Sequence, residues 1–406
     1  MDSRLHIYYE EQVDFEKIRQ SFIKRYVKIM EEMNLEGIVV TRIENVQSLT
    51  RWRAPFGRNH YVLKYGAMIN RSGEVIFLTR PGDEVKVKAV MPWLKDVRII
   101  PDMGHDVIGQ KGSWEGVIEE TCKDYNIIKR LGADLLTLKV LYSLNTNMPN
   151  LEIIDLDDTI LKMRMIKTED EIKVMRMSVE VAEKALEAGL AIADYGLREC
   201  DISAKIAEVA MKDDIEGLHL TPHVITGPHS SFKYRHHTDR RIRFGDIIRI
   251  DAGVIYAGYC GEYNRATIAG RPSPKQQKMA QVVYEGHTKA IEAIKPGVIA
   301  KDVDAIPRKI FEEKGYKKYA YRHPTGHGLG MSVHEMPSIS RSSDTVLKPG
   351  MVINIEPGII YFDDPAVGGV TFEDVVLVTD SGHEILTRTP YCSKLLGFDA
   401  CPMGKY

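Results

Sequence analysis

One short stretch limits the possible folds of this chain more than any other: Asp251-Ala-Gly-Val-Ile-Tyr-Ala-Gly-Tyr-Cys-Gly-Glu262. Isoleucines lead into it, a glycine-containing turn lies within it, and Tyr-Cys carries the chain back. This pattern is typical of two β-strands joined by a short turn. One acid lies near the start of the first strand and one lies on the second, so both carboxylates can face one point, as a metal site requires.

Three further candidate donors lie downstream. His327 has glycines on both sides, which let the backbone approach whatever the imidazole contacts. Glu356 ends an apolar run at Pro-Gly, and Glu373 lies within an apolar strand, where an acid is costly unless it is paired or bound to a cation. A single such acid is usually a satisfied core carboxylate. Together with Asp251 and Glu262, however, four clustered carboxylates would balance two divalent ions, and five oxygen and imidazole donors suit Mn, Fe, Co or Zn.

Composition excludes several classes of protein. The 406 residues are 44% hydrophobic and 28% charged, with a formal net charge of −2, which gives no reason to expect nucleic acid or an anionic membrane surface as a partner. No apolar run approaches the ~20 residues of a membrane helix. The five cysteines are scattered and the N-terminus is polar, so we expect a cytoplasmic protein.

The length of the chain and a change in its sequence pattern near residue 158 predict two domains, residues 1–158 and 159–406. The first domain mixes helical and strand-like runs and reads as α/β, beginning with an amphipathic helix that Asp14 can cap. The second domain reads as α+β and opens with a helix whose start, Thr168 with Glu171, has the form of a capping box.

The order of motifs in the second domain resembles a known family. Asp-x10-acid is followed by GHGxG-x3-HExP, then IEPG, then a Gly-Gly-Val-x-x-Glu-Asp strand. Over about residues 160–390 this is similar to the pita-bread metallopeptidase family M24, which includes Xaa-Pro dipeptidases (prolidases), Xaa-Pro aminopeptidases and creatinase. The resemblance implies a C-terminal pita-bread (creatinase/aminopeptidase) fold behind a smaller N-terminal α/β creatinase-like domain.

The resemblance also implies roles for the five donors. Asp251 would be a terminal ligand of one ion, His327 and Glu356 would hold the other, and Glu262 and Glu373 would bridge the pair. The expected ions are Mn, Co, Zn or Fe, and the expected reaction is cleavage of a small peptide by a metal-bridging hydroxide in a homodimeric enzyme.

Two residues are implied as catalytic. Glu356 would shuttle the proton, and His334 would stabilise the developing oxyanion. The simpler interpretation of His334 is a histidine packed beside a turn.

Three positions depart from the family pattern. Glu262 replaces the usual aspartate, and its extra methylene is expected to shift or weaken one ion. Tyr234 falls where a substrate-binding histidine is usual, with His236 and His237 two and three residues later. Thr371 stands where prolidase-like members commonly carry an arginine, which argues against the usual recognition of a dipeptide carboxylate.

The basic loop Arg51–His60 has two interpretations. A solvated surface loop is the simpler one. In dimers of the family, however, an N-domain loop covers the partner's active site, and Trp52 and Arg58 would then contact substrate.

Two other functions stay open at this stage. One is a non-peptidase member of the same fold, a creatinase-like or ectoine-hydrolase-like C–N hydrolase or a lyase that acts on a small metabolite with weakened or absent metal. The other is a catalytically silent peptide-binding module. Metal content separates the first from a peptidase, and retention of the donor residues argues against the second.

Overall fold

The computed structural model describes residues 8–53, 65–100, 113–219, 221–232 and 235–400. The chain divides into two compact units, Met1–Met163 and Arg164–Tyr406. This division falls near the end of the helix at Asp157–Arg164, a few residues after the expected boundary at residue 158.

The first unit contains a mixed sheet with helices between its strands. Its helices are α1 (Tyr8–Gln12), α2 (Phe15–Met33), α3 (Ile43–Thr50), α4 (Glu84–Val90), α5 (Trp114–Asp124), α6 (Leu138–Asn147) and α7 (Asp157–Arg164). Its strands are β1 (Gly37–Val40), β2 (Gly66–Asn70), β3 (Val75–Thr79), β4 (Asp96–Ile99), β5 (Arg130–Ala133) and β6 (Glu152–Asp155). They lie in the order β4-β3-β2-β1-β5-β6, and β2 is antiparallel to both of its neighbours. This is the α/β unit that the sequence predicts.

The first residues of α2 and of the first helix of the second unit are determined by N-terminal capping residues nearby in the sequence. At α2 the Asp14 side chain accepts a hydrogen bond from the Lys17 backbone N–H at 2.9 Å, and Phe22 and Ile29 are buried on the inner face. At the start of the second unit, Thr168 and Glu171 form the predicted capping box. Both predictions are confirmed, because a cap depends only on residues within one turn.

The second unit surrounds its strands with longer helices. Its helices are α8 (Glu169–Ile192), α9 (Glu199–Ala210), α10 (Pro274–Glu292), α11 (Ala300–Glu313) and α12 (Ser393–Leu396). Its strands are β7 (Gly217–Leu218), β8 (His223–Thr226), β9 (Ile247–Tyr256), β10 (Tyr259–Ile268), β11 (Gly326–Gly328), β12 (Glu335–Ile339), β13 (Val352–Ile355), β14 (Gly358–Ile360), β15 (Gly369–Thr371), β16 (Asp374–Val378) and β17 (His383–Ile385).

The described strands of this unit form three sheets. One has the order β10-β9-β7, with β8 also paired to β9; a second has the order β12-β11-β13-β16-β17; the third is the pair β14-β15. Helix α8 packs against β9 and β10, and α10 and α11 pack against each other beside the second sheet. The unit is α+β, as predicted, and the candidate donors lie where the first two sheets approach each other.

Among the described residues, no helix combines the length and the apolar character that crossing a membrane would require.

Candidate metal centre

The hairpin of β9 and β10 holds the first two acids. Its turn passes through Ala257 and Gly258, both at positive φ (51° and 82°), which is the backbone of a tight type I′ hairpin. In the register of the pair, Glu262 lies opposite Gly253 and Asn264 lies opposite Asp251. Residues directly opposite share a face, as do residues two apart along a strand. Asp251 and Glu262 therefore project from the same face of the sheet.

The second sheet brings the other donors to the same place. His327 lies on β11 opposite Asn354 of β13, while Glu356 directly follows β13 and Glu373 directly precedes β16. The Asn354 side-chain amide donates to the Glu373 carboxylate and lies 3.5 Å from Glu262 Oε2. The amide of Asn354 therefore holds the carboxylates of both sheets side by side.

Three of the predicted donors form a tight group. Ligand atoms of Glu262, His327 and Glu373 all lie within 4.8 Å of one another. His327 Nε2 lies 3.9 Å from Glu262 Oε2 and 3.9 Å from Glu356 Oε1. One imidazole therefore contacts carboxylates from both sheets, as one ligand of a shared ion would.

The electrostatic environment of the clustered carboxylates favours binding of a cation. Burial, followed by the charges of Glu373, Asp251 and Glu356, raises the pKa of Glu262 well above its ordinary value. Burial and the charges of Glu356 and Asp251 do the same to the pKa of Glu373. Like charges this close disfavour full ionisation unless a cation is present. The donor set fits divalent ions of the kind that carboxylate and imidazole prefer.

His334 lies beside this group. Its ring centroid is 4.3 Å from that of His327, and its side chain is exposed. The next residue, Glu335, is buried and accepts hydrogen bonds from Arg164 and from Lys167 Nζ at 3.2 Å. These ion pairs hold the backbone next to His334, whose side chain is exposed to solvent.

The segment after β8 carries histidines, one of which lies near the strand of Asp251. Tyr234 lies outside the described residues. His236 places its ring 6.1 Å from that of His223, and His223 lies directly opposite Asp251. His237 Nδ1 lies 3.2 Å from the carbonyl oxygen of Pro222. His236 thus reaches the Asp251 strand through His223, whereas the contact described for His237 is with backbone.

A buried acid organises that segment. The Glu199 carboxylate, at the start of α9, accepts hydrogen bonds from the backbone and hydroxyl of Thr226 and of Thr238, and it contacts His229 Nδ1 at 2.9 Å. The two ends of the segment are therefore tied to one side chain.

In the first unit, the structure does not give Trp52 the exposure that substrate contact needs. Its side chain is only 1% exposed and packs with ring centroids 5.5 Å from Tyr65 and 5.3 Å from Phe77. An apolar ring of this size gains more from burial than from solvent contact, which explains the placement. Arg58 lies outside the described residues.

Two residues beside the candidate donors, His219 and Arg249, are not among the predicted site residues. His219 Nε2 lies 3.3 Å from Glu262 Oε1. Arg249, two residues before Asp251 and on the same face of β9, is 3% exposed and donates to the Tyr321 hydroxyl and, at 2.8 Å, to the Phe232 carbonyl. An arginine inside the apolar run Ile-Ile-Arg-Ile-Asp, and the unusual density of histidines around His219, were the available signals.

Arg249 connects to the carboxylates through aromatic neighbours. The Tyr321 ring lies 4.6 Å from that of His323, and His323 Nδ1 lies 3.9 Å from Glu356 Oε1. Thr371, in place of the arginine expected there, donates its hydroxyl to Asn264 Oδ1 at 2.8 Å. The arginine on this side of the site is therefore supplied by β9 rather than by β15.

Comparison with known proteins decides the family. The model of metallopeptidase family M24 matches residues 173–380, more than half of the chain. The chain belongs to metallopeptidase family M24. The creatinase/prolidase N-terminal domain matches residues 23–166. Family M24 is the one that the motif order resembles, and the expected pita-bread fold with a creatinase-like N-terminal domain is confirmed.

Relatives in family M24 include peptidases from archaea and bacteria. The chain is 39% identical over 234 residues to the Xaa-Pro dipeptidase of Pyrococcus furiosus and 40% identical over 234 residues to an uncharacterized peptidase of Staphylococcus aureus. Each match covers 58% of this chain and 66% of the relative, so the alignment spans slightly less than two thirds of these relatives.

Solved structures match over nearly the whole chain. The Xaa-Pro dipeptidase from Bacillus anthracis superposes with a TM-score of 0.79 at 26% identity, covering 92% of this chain and 98% of that one. The prolidase from Pyrococcus furiosus gives 0.75 at 30% identity, covering 89% and 99%. The fold is therefore shared with these structures over most of the length of both chains.

Proposed function

We propose that this protein is a metal-dependent peptidase that hydrolyses the Xaa-Pro bond of small peptides. The observation that carries the proposal is the convergence of Glu262, His327 and Glu373 within 4.8 Å, with Asp251 and Glu356 close enough to raise the pKa values of the two buried glutamates. The Xaa-Pro dipeptidases among the relatives and structural neighbours support the same substrate class.

The five donors would hold two divalent ions, of the Mn, Co, Zn or Fe type. Asp251 would bind one ion, His327 and Glu356 would bind the other, and Glu262 and Glu373 would bridge them. Such ions polarise a carbonyl oxygen and make a water nucleophilic at neutral pH.

The remaining chemistry belongs to side chains of this chain. Water attacks the scissile carbonyl carbon, Glu356 accepts the proton that the water loses, and the same carboxylate returns it to the proline nitrogen as the C–N bond breaks. His334, exposed beside His327, donates a hydrogen bond to the oxyanion that develops. His323 Nδ1 lies 3.9 Å from Glu356 Oε1, beside the carboxylate that would transfer the proton.

Arg249 would recognise the substrate carboxylate. A guanidinium binds carboxylates with paired, charge-assisted hydrogen bonds. Its contact with Tyr321, whose ring lies 4.6 Å from that of His323, places it on the same side of the site as Glu356. Arg249 would therefore take over the role of the arginine that Thr371 replaces.

The test is turnover of a panel of Xaa-Pro dipeptides and Xaa-Pro amides by protein loaded with Mn²⁺ or Co²⁺. We expect cleavage that chelation abolishes, and a Glu356→Gln variant that binds peptide but does not cleave it. Normal metal content without turnover of any peptide would refute the peptidase assignment. Fewer than about one ion per chain would instead favour a metal-free C–N hydrolase, an alternative that the converging donors make less attractive.

We also propose that the enzyme works as a homodimer in the cytoplasm. The support is the family's use of an N-domain loop over a partner's site and the sparse, scattered cysteines. Sedimentation of the metal-loaded protein would test the dimer, and a monomeric, fully active species would contradict it.

A further inference from the structure

One row of residues crosses the first sheet of the second unit beside the metal centre. His219 follows β7 and donates its backbone N–H to the Gly253 carbonyl oxygen on β9 at 3.3 Å, while Gly253 lies opposite Glu262 of β10. Residues in such a row share a face of the sheet. The His219 imidazole and the Glu262 carboxylate are therefore on the same side as Asp251.

Gly253 makes the contact between the outer two residues possible. A Cβ at this position would lie only 2.0 Å from His219 Nε2, a distance that no real side chain tolerates. Because the central residue has no side chain, the imidazole lies over the strand and reaches the carboxylate of the far strand. The ring occupies the space that any other residue at 253 would fill.

The two oxygens of Glu262 face different imidazoles. Oε1 lies 3.3 Å from His219 Nε2, and Oε2 lies 3.9 Å from His327 Nε2. The side chains of His219 and Glu262 are 4% and 6% exposed. A carboxylate with one imidazole at each oxygen has the arrangement of a bridging ligand whose two ions each carry one histidine.

The distance is also that of two ligands on one ion. Bonds of about 2.0–2.2 Å to nitrogen and oxygen, at angles of about 90–109°, separate the two ligand atoms by about 2.8–3.6 Å. The 3.3 Å between His219 Nε2 and Glu262 Oε1 lies within that range. We propose that His219 is a ligand of the divalent ion held by Asp251 and Glu262, in addition to the five donors expected from the family pattern.

This inference rests on the metal site of the proposed function but not on peptidase activity, so the experiment uses metal binding without substrate. Metal-free wild type, His219→Ala and His219→Gln are titrated with Mn²⁺ by calorimetry. Pulsed electron paramagnetic resonance then counts the imidazole nitrogens coupled to the bound ions. The glutamine amide can still donate to Glu262 but is a poor ligand, so His219→Gln separates ligation from a hydrogen bond.

We expect wild type to bind two ions with two coupled imidazoles. Both variants should lose one imidazole signal and bind one of the two ions at least about tenfold more weakly. His383→Ala is the matched control, since His383 Nδ1 lies 2.8 Å from the Ile294 carbonyl oxygen and takes no part in the centre. It should bind both ions as wild type does.

Two outcomes would overturn the inference. One is a single coupled imidazole in wild type, because His327 alone would then account for it. The other is wild-type metal binding by His219→Gln, which would reduce His219 to a hydrogen-bond donor. If wild type shows both imidazoles but cleaves no peptide, the peptidase proposal fails while the assignment of His219 stands. Circular dichroism of each metal-free variant confirms that the fold is intact.

Discussion

Glu373 and Asp374 are neighbours in the chain, both are buried, and their electrostatic surroundings are opposite. Burial and the charges of Glu356 and Asp251 raise the pKa of Glu373 well above its usual value. Burial also pushes the pKa of Asp374 upward, but the charges of Arg265 and then His287 outweigh it and bring that pKa below the usual value. Arg265 Nη2 donates to Asp374 Oδ1 at 2.7 Å.

The difference between these neighbours shows what burial of an acid means. Successive residues of a strand point to opposite faces, so Glu373 meets the carboxylates of two sheets while Asp374 meets a fixed guanidinium. Where the chain supplies the positive charge itself, the acid is structural. Where the chain gathers acids around a histidine, the positive charge is expected from solution, as an ion.

The strongest test of this contrast is Glu373→Gln. The amide oxygen can keep the hydrogen bond from Asn354, but one buried carboxylate is lost, and with it the bridging ligand that we propose. We expect loss of an ion and a fall in activity of about a thousandfold or more, corresponding to several kcal/mol of transition-state stabilisation. We also expect the metal-free variant to melt above metal-free wild type, because repulsion is relieved. Calorimetric metal titration and thermal melts with chelator measure both effects, and unchanged binding of two ions would contradict the assignment.

On the other face of β16, Asp374→Asn should act mainly on stability. It leaves Arg265, which is 1% exposed, without its buried counter-charge, and loss of one partner of such a pair costs about 3–5 kcal/mol. Urea unfolding measures the loss of unfolding free energy. Glu384→Gln is the control, since its pair with Arg176 is 44% and 40% exposed and should contribute less than about 1 kcal/mol. Equal effects of the two substitutions would remove the distinction.

A second buried acid with positively charged partners, Glu335, predicts how the stability of the fold depends on pH. Burial would raise the pKa of Glu335, but the charges of Arg164 and Lys167 dominate and lower it from 4.5 to about 2. A lowered folded-state pKa stabilises the fold above the unfolded value, and that contribution is lost as the pH falls from 4.5 toward 2. The stability difference between wild type and Glu335→Gln should therefore shrink across this window. Urea melts at several acidic pH values measure it, and a difference independent of pH would be inconsistent with the ion pair.

The smallest expected effect concerns Arg249, a buried cation on the same face of β9 as Asp251. Arg249→Met should raise KM for Xaa-Pro dipeptides with a free carboxylate by about tenfold, since one charge-assisted contact is lost. KM for the matching amides should change little. A parallel loss on both substrates would show that Arg249 supports the fold near Tyr321 rather than recognising the substrate.

Much of the fold was readable from local patterns. The start of α2 at Asp14, the capping box of Thr168 and Glu171, and the β9–β10 hairpin each depend on neighbours within a few residues, and each is as predicted. The domain boundary after residue 158 stays a prediction; the two compact units divide at Met163, near the end of α7. The expected substrate contact of Trp52 could not be judged from the sequence, because burial of its ring against Tyr65 and Phe77 depends on tertiary packing.

The local sequence was enough to select the candidate donors and their order, because Asp251, Glu262, His327, Glu356 and Glu373 each carry a ligand-type side chain next to a recognisable strand or turn pattern. Which other residues lie beside these candidates depends on the tertiary structure. His219 meets Glu262 because β7 pairs with β9 and because the residue between them, Gly253, has no side chain. Arg249 faces the site because it is an even number of residues from Asp251 on a paired strand. Neighbours across a sheet depend on register between distant segments, which no local pattern specifies.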